Sequence, residues 1–512
     1  MAERDAPFES LEHRAFRALF APGVTYQWAR FFMLRLTGFV YFFAFASAYV
    51  ELPALLGDDG LDPAGHHLQW FVRAHGAVGA FVRAPSLFFL VGTSDRAMHV
   101  ITGLGALAAL AVTLGVTNAI VQVALWLLYM SIVHVGQVFY GYGWESLLLE
   151  VGFLSIFLAP VRSLHPLPAA RPPTVVIWLF RWLIVRVMLG AGLVKLRGDA
   201  CWTELSCLDY HFETQPVPSP VSFWFHRLPP TVHHLGVLYN HIVELGAPLV
   251  TFAPARLRHV AGVLFVSFQL TLIASGNLAF FNWITIVPAL ACFDDRFFHR
   301  LVPRRWRDRP LAEPSRAHER TARAVALVVG VLSIMPIANL LSPNQAMNET
   351  YEPLGLVSSY GAFGSVNRVR EEVVLEGTND EPADPQARWL AYELPCKPGD
   401  VERRPCILGP WHHRLDWQLW FAGMEDYDEE PWIVNLVDKL LHGDRKVLAL
   451  FANDPFPSAP PRYVRILRYR YTMAPSGARA WWTREIEDEY LRPVALGDPD
   501  LEAFLRSRGF RD

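Results

Sequence analysis

Charged side chains are scarce in this chain and unevenly spread. They make up 19% of the 512 residues, whereas 52% are hydrophobic, a balance that is unusual for a soluble protein of this length. Long apolar runs fill residues 29–341, while residues 345–512 have the composition of an ordinary globular domain. We therefore expect the first part to face lipid and the second to face water.

The sequence also lacks a basic tail and a signal-peptide pattern. Its basic residues are collected only in one arginine-rich loop. A net charge of -3 without a basic face excludes nucleic acid as the expected partner. The segment 1–30 carries Glu3, Asp5, Glu9 and Glu12 and has no short apolar core followed by a small-residue cleavage site. We predict an uncleaved cytoplasmic N-terminal segment, and the first span then acts as its own insertion signal.

Recognisable catalytic and metal-binding motifs are missing as well. The C-terminal part contains no nucleophile elbow, phosphate loop or metal signature. His241 and Glu244 lie three residues apart and share a helix face, but no second ligand set with metal-site spacing accompanies them. The sequence thus predicts no metal, indicates no cofactor, and leaves open whether the protein is an enzyme.

The apolar stretches predict helices that cross a membrane. A span needs about 20 mostly apolar residues, and the candidates lie near 31–52, 99–116, 119–138, 145–160, 174–194, 235–253, 260–275, 278–293 and 324–341. The shortest are also candidates for half-buried or re-entrant segments. We predict an α-helical polytopic membrane bundle of about nine spans, which forms a transmembrane domain over residues 31–341 in contact with the lipid bilayer.

Arginines in the short connections predict the orientation. They precede the first span and follow the fourth, sixth and eighth, with the densest group at 296–323. With nine spans all these groups fall on one side, which the positive-inside rule makes cytoplasmic. The C-terminal domain is then extracytoplasmic, in the periplasm, the exterior or the lumen of the endoplasmic reticulum.

The chain has only five cysteines, and four of them fall on the predicted outer side. Cys201 and Cys207 lie in the loop after the fifth span, and Cys396 and Cys406 lie in the outer domain. An oxidising compartment favours a disulfide in each pair, and buried free thiols are the alternative. Cys292 lies in a span and is expected to be a small buried apolar residue.

Several polar residues fall inside predicted spans, where they are costly unless paired or functional. Glu145 and Glu150 in the fourth span face Arg181 and Arg186 in the fifth, which predicts ion pairs, with catalysis as the alternative. Asn277 joins the seventh and eighth spans and is predicted to tie helices together.

Lys195 ends the fifth span, and two interpretations of it stay open. It is either a lysine that extends to the membrane interface, or a partly desolvated amine that acts as a base. The extracytoplasmic loop 195–234 follows, and its prolines exclude a long helix, so we expect an ordered lid or a docking surface. Its candidate client-contacting or substrate-contacting residues are Trp202, Asp209, Tyr210, His211, Glu213 and Gln215.

Short alternating runs in the C-terminal part predict strands. The runs 372–376, 389–394 and 462–471 are rich in β-branched and aromatic residues, and 417–424 and 432–441 have helical spacing. We predict a β-rich, sandwich-like extracytoplasmic domain over residues 342–512 with an inserted helical segment.

Many local runs carry a resemblance to a known family. The most specific are GAGLVKLRGD at 190–199, DYHFETQPVP at 209–218, WESLLLEVGFL at 144–154, YGAFG at 360–364 and CKPGD at 396–400. They strongly resemble the lipase maturation factor family over nearly the whole chain. The resemblance implies a membrane-embedded factor that, in animals, resides in the endoplasmic reticulum and helps dimeric lipases reach their active fold. In a bacterium the location would be the plasma or inner membrane, and the partners would be secreted client proteins.

A weaker resemblance gives an alternative function. The run AGLVKL at 191–196, followed by Trp202, looks like the segment of vitamin K-dependent gamma-carboxylase that holds its catalytic lysine. This resemblance implies that Lys195 deprotonates a reduced quinone. The chain departs from that pattern because Val194 stands where the carboxylase has a second lysine.

Overall fold

The computed structural model describes residues 24–303, 307 and 311–511. Among these residues, five helices are long and apolar enough to cross a membrane: Gln27–Leu56, Asp95–Leu114, Thr174–Gly198, Ala255–Ser275 and Arg316–Leu341. Two shorter apolar helices, Ala119–Val135 and Phe281–Cys292, accompany them. The helical membrane character predicted from the sequence is confirmed. The predicted segment 1–30 lies mostly outside the described residues.

The first half of the chain is helical. Its helices are α1 (Gln27–Leu56), α2 (Ala64–Arg83), α3 (Phe88–Val91), α4 (Asp95–Leu114), α5 (Ala119–Val135), α6 (Gly143–Leu158) and α7 (Thr174–Gly198). The N–H groups in the first turn of a helix have no partner within that helix. At the start of α5 the Asn118 side chain accepts the Ile120 N–H and so caps the helix. Pro173 directly precedes α7.

The proline-rich loop folds into short helices, as its composition requires. They are α8 (Ala200–Thr203), α9 (Leu208–Thr214), α10 (Pro220–His226) and α11 (Pro230–His241). The predicted sixth span is α11 followed by a π-helical turn, Ile242–Gly246, and a 3-10 turn, Ala247–Val250. The remaining helices of the membrane part are α12 (Ala255–Ser275), α13 (Phe281–Ala289), α14 (Asp295–Phe298), α15 (Arg316–Leu332) and α16 (Ile334–Leu341).

The C-terminal part contains one antiparallel sheet of four strands in the order β2-β1-β3-β4. The strands are β1 (Arg370–Thr378), β2 (Leu390–Ala391), β3 (Tyr463–Met473) and β4 (Trp482–Val494), and the helices are α17 (Arg414–Ala422), α18 (Trp432–Leu441), α19 (Arg445–Leu448) and α20 (Pro499–Ser507). The inserted helical segment is present. The predicted sandwich is wrong for the residues that are described, because helices rather than a second sheet bury the apolar side chains of this sheet.

The apolar core is continuous between the membrane helices and the C-terminal domain. Phe139, which precedes α6, meets Trp432 of α18 edge-on, with ring centroids 5.5 Å apart. Residues 358–366 run along α7, where Gly190 and Gly198 leave room for the carbonyls of Tyr360 and Gly364. The C-terminal domain is therefore docked on the bundle, not tethered to it by a free linker.

Candidate functional site

An ion pair lies inside the bundle where α7 ends. The Lys195 Nζ lies 2.6 Å and 2.7 Å from the two carboxylate oxygens of Glu244, and Asn240 donates to the same carboxylate at 3.0 Å. Both charged side chains are buried. Glu244 reaches Lys195 because it lies in the π-helical turn, which widens the helix at this point.

This geometry bears on both interpretations of Lys195. The side chain is buried and turns inward to a carboxylate. The Lys195 amine donates to both oxygens of the Glu244 carboxylate, so it is held in a buried ion pair. The Trp202 ring covers the ammonium at 5.1 Å, which adds a favourable cation–π contact.

Trp202 connects the loop to the segment 358–366, which leads into the C-terminal domain. Its Nε1 donates to the Phe363 carbonyl at 2.9 Å, and its own carbonyl accepts from His241 Nε2 at 2.9 Å. Phe363 has a φ of 54°, a left-handed conformation that is uncommon for a bulky residue. The His211 ring meets Phe363 edge-on at 5.0 Å, and burial, together with the nearby Lys195 charge, lowers the pKa of His211 to about 4. His211 is therefore neutral at physiological pH.

Two cavities lie on either side of His211 and Phe363. The inner cavity, of about 180 Å³, is lined by Lys195, Glu244 and otherwise mostly apolar side chains of α7 and α9–α13. The outer cavity, of about 500 Å³, lies between the start of α6, residues 361–367 and α17. His211 and Phe363 line both cavities, so these two side chains form part of the wall between them.

Aromatic rings dominate the outer cavity. Tyr142 stacks on Trp144 with centroids 4.4 Å apart, Trp417 meets Trp144 edge-on at 4.9 Å, and Trp420 and Phe421 complete this wall. None of the described residues that line this cavity is an Asp, Glu, Lys or Arg. Such a surface fits an uncharged, apolar or aromatic segment.

The other candidate residues of the loop are engaged in internal contacts. Asp209 pairs with His233 at 2.8 Å, and the Tyr210 ring packs under Arg368 at 4.7 Å. Glu213 accepts the Met473 N–H at 2.7 Å, and Gln215 donates to the Ser275 carbonyl at 3.1 Å. The loop is thus an ordered layer between the bundle and the C-terminal domain.

The intramembrane charges are only partly paired as predicted. Glu150 and Arg186 form the expected buried ion pair, and the same two side chains hold the C-terminal segment, because Tyr360 donates to Glu150 at 2.8 Å and Arg186 to the Ser358 carbonyl at 2.7 Å. Arg181 does not pair with a glutamate. It donates to the Ala291 carbonyl at 2.8 Å and to the Tyr26 hydroxyl at 2.9 Å.

Glu145 pairs with Arg414 of α17, a partner that was not predicted from the sequence. The Arg414 Nη1 lies 2.8 Å from the Glu145 carboxylate and 2.7 Å from the Phe139 carbonyl, and Tyr129 donates to the same carboxylate. The preceding residue, His413, also contacts the bundle, because its Nδ1 lies 3.0 Å from the carboxylate of Glu51 in α1. The run His412-His413-Arg414 was visible in the sequence, but its partners lie more than 260 residues away.

Both predicted disulfides are formed, Cys201–Cys207 and Cys396–Cys406. The Cys396–Cys406 disulfide lies next to Asn277. The Asn277 side chain donates to the Cys406 carbonyl at 3.0 Å and accepts the Leu408 N–H at 2.8 Å. Asn277 therefore ties the bundle to the C-terminal domain, and not helix to helix as predicted. Cys292 is a buried free thiol.

These features define a class: a helical membrane protein whose C-terminal domain is docked on the bundle through buried ion pairs and an aromatic cavity. The chain belongs to the lipase maturation factor family. The family model described as lipase maturation factor transmembrane domain matches residues 28–300, and the lipase maturation factor C-terminal domain matches residues 356–492. The predicted family is thus confirmed.

Relatives match over nearly the full chain. Lipase maturation factor 1 of Bos taurus is 44% identical, over 94% of this chain and 91% of the relative, and that of Homo sapiens is 42% identical, over 95% and 91%. Lipase maturation factor 2 of Rattus norvegicus is 30% identical, over 92% and 84%. No solved structure matches the chain. These comparisons do not support the alternative of a quinone-dependent enzyme.

Proposed function

We propose that this protein is a membrane-embedded maturation factor that assists the folding or assembly of secreted client proteins. Family membership over almost the whole chain is the observation that carries the proposal. The printed names of the relatives refer to lipases, so lipase-like proteins are the first clients to test. The mechanism needs no chemistry on the client beyond reversible binding.

The outer cavity is the proposed client-binding site. A partly folded client exposes apolar and aromatic side chains, and a wall of aromatic rings without charged groups binds such side chains with little desolvation cost. The loop 195–234 borders the same region through His211, Gln215 and Pro216. Trp420 is a half-buried aromatic residue of this wall, and we expect a client to contact it.

We infer a topology of nine crossings with the C-terminal domain outside the cytoplasm. The crossings would be Gln27–Leu56, Asp95–Leu114, Ala119–Val135, Gly143–Leu158, Thr174–Gly198, 230–250, Ala255–Ser275, Phe281–Cys292 and Arg316–Leu341.

Contacts between helix ends support this alternation. Arg35 near the start of α1 donates to the Gly115 carbonyl after α4, and the Ala119 N–H at the start of α5 donates to the Pro160 carbonyl after α6. The arginine-rich connections lie at this end, which the positive-inside rule makes cytoplasmic. The location would be the endoplasmic reticulum membrane in a eukaryote, or the plasma or inner membrane in a bacterium.

Site-specific photocrosslinking tests the client site. A photoreactive amino acid replaces Trp420 in the full chain, co-expressed with a secreted lipase, and the matched control replaces Leu496, which is exposed on the C-terminal domain and does not line the cavity. We expect a lipase adduct from position 420 at several times the yield from 496, and reduced secretion of active lipase with Trp420→Ala. Equal yields at the two positions would overturn the proposed site.

A further inference from the structure

The excursion between α1 and α4, residues 57–94, has no place in the mechanism proposed above. It contains α2 and α3, and both of its ends are held by the C-terminal domain. Lys439 of α18 pairs with Asp59, Lys446 of α19 pairs with Asp95, and Asn435 donates to the Leu61 carbonyl at 2.9 Å. Between these fixed ends, residues 72–78 are exposed without interruption.

Its depth relative to the membrane is set by α5. Ser86 donates to the Ser131 carbonyl at 2.9 Å, and the Ser131 hydroxyl accepts the Leu87 N–H at 3.0 Å. Ser131 lies four residues before the end of α5, a rise of about 6 Å along a helix. On the topology proposed above, in which α5 crosses the membrane, the excursion leaves and rejoins the bundle close to the membrane boundary on the side of the C-terminal domain.

The backbone of α2 is kinked at Gly76, which has a φ of 70° and a ψ of 165°, and the composition on both sides of this kink is that of a segment that lies on a lipid surface. Its exposed apolar side chains are Trp70, Val72, Val78, Phe81 and Val82. Between Asp62 and Asp95 the sequence contains no acidic residue, whereas Arg73, Arg83 and three histidines lie within α2. Arg73 and Arg83 form no ion pair or hydrogen bond with another described residue. A tryptophan beside unpaired arginines at the depth of the headgroups is the pattern of an interfacial anchor.

We propose that α2 binds the anionic headgroups of the leaflet that faces the C-terminal domain. Arg73 and Arg83 contact phosphate-bearing headgroups, while Val78, Phe81 and Val82 enter the adjoining acyl region. Because the C-terminal domain grips both ends of the excursion, the lipid contact also fixes that domain relative to the membrane surface.

Quenching by spin-labelled lipids tests the proposal. The full chain with Val78→Cys carries a polarity-sensitive fluorophore, and the chain's own cysteines are either disulfide-bonded or buried. In nanodiscs of mixed phosphatidylcholine and phosphatidylglycerol, the quencher is placed on one lipid or the other. We expect stronger quenching when the quencher is on the anionic lipid. The preference for the anionic lipid over phosphatidylcholine should fall on the order of fivefold with Arg73→Gln and again with Arg83→Gln. The same preference should be weaker at high salt.

The label at Ile486→Cys, exposed on β4 of the C-terminal domain, is the control and should be quenched by neither lipid. Equal quenching by the two lipids, or an unchanged preference in the double arginine variant, would overturn the recognition of anionic lipid. A label at position 78 that is shielded only when a client protein is added would show that α2 contacts protein and not lipid.

Discussion

At the scale of single residues, Arg414 connects the two parts of the molecule through one carboxylate. Replacing Arg414 with Met would leave Glu145 buried without a cation, so we expect the free energy of unfolding to fall by about 3–5 kcal/mol. Denaturant unfolding in detergent, followed by limited proteolysis, measures this loss.

The double variant Glu145→Gln with Arg414→Met should recover most of that loss, because no unpaired charge remains. Arg479→Met is the matched control, since Arg479 pairs with Glu402 on the surface, where an ion pair contributes up to about 1 kcal/mol. Equal effects of Arg414→Met and Arg479→Met would contradict the structural role of the buried pair.

Asp416 and His413, which lie close to Arg414 in the sequence, predict that the stability of the docked C-terminal domain depends on pH. Burial raises the pKa of Asp416 from 3.8 to about 6, so the protonated carboxyl is favoured in the folded state. Its contribution to stability is present at low pH and is lost as the pH rises from about 4 to 6. Burial opposes the charged form of His413, but the hydrogen bond to Glu51 together with the negative charges of Glu51 and Asp416 raises the pKa of His413. This imidazolium likewise contributes below its ordinary pKa and loses its contribution as the pH rises through the raised value.

We therefore expect stability to fall from about pH 4 to 6 through Asp416 and to fall further above about pH 6.5 through His413, and we expect Asp416→Asn to flatten the lower part of that fall. Melting temperatures of both proteins across this window provide the measurement. A variant with the same slope as the parent would show that Asp416 does not titrate in the folded protein.

At the scale of secondary structure elements, α7 accepts the segment 358–366 because glycine occupies its contact positions. A methyl group on Gly190 would lie 2.2 Å from the Tyr360 carbonyl oxygen, so Gly190→Ala must displace backbone. We expect a loss of about 1–3 kcal/mol and weaker client crosslinking at position 420, since Phe363 of the same segment lines the cavity.

Gly330→Ala in α15 is the control for this substitution. No atom lies within 4 Å of the added methyl group, and alanine favours a helix by about 1 kcal/mol over glycine, so stability should rise slightly. If Gly190→Ala and Gly330→Ala change the melting temperature equally, Gly190 is not required for the close packing of α7 against the segment 358–366.

At the scale of the whole molecule, the proposed nine crossings place the start of α15 and the C-terminal sheet on opposite sides of the membrane. A cysteine at Arg316 and one at Ala478, both exposed, report these sides. We expect a membrane-impermeant maleimide to label Ala478→Cys in intact cells or sealed lumenal vesicles, and Arg316→Cys only after permeabilisation. Labelling of both positions before permeabilisation would require an even number of crossings between them and would contradict the proposed crossing by Arg316–Leu341.

The sequence by itself determined the membrane character and the family, and it identified both candidate disulfide pairs, which the structure then showed to be formed. Apolar runs are local features, and the paired cysteines are only 6 and 10 residues apart, so short-range information was sufficient. The strands of β1 and β3 were likewise visible from local alternation.

Only the tertiary structure decided which charges meet. Glu145 was expected to pair with an arginine of the next span but pairs with Arg414, 269 residues away. Lys195 is held by Glu244, which lies in a π-helical turn. The single sheet, the two cavities and the exposed α2 were also unpredicted. A buried charge pairs with whichever opposite charge the packing of the helices brings close to it. That packing depends on the rotation and position of whole helices, so the neighbouring residues in the sequence do not determine the partner.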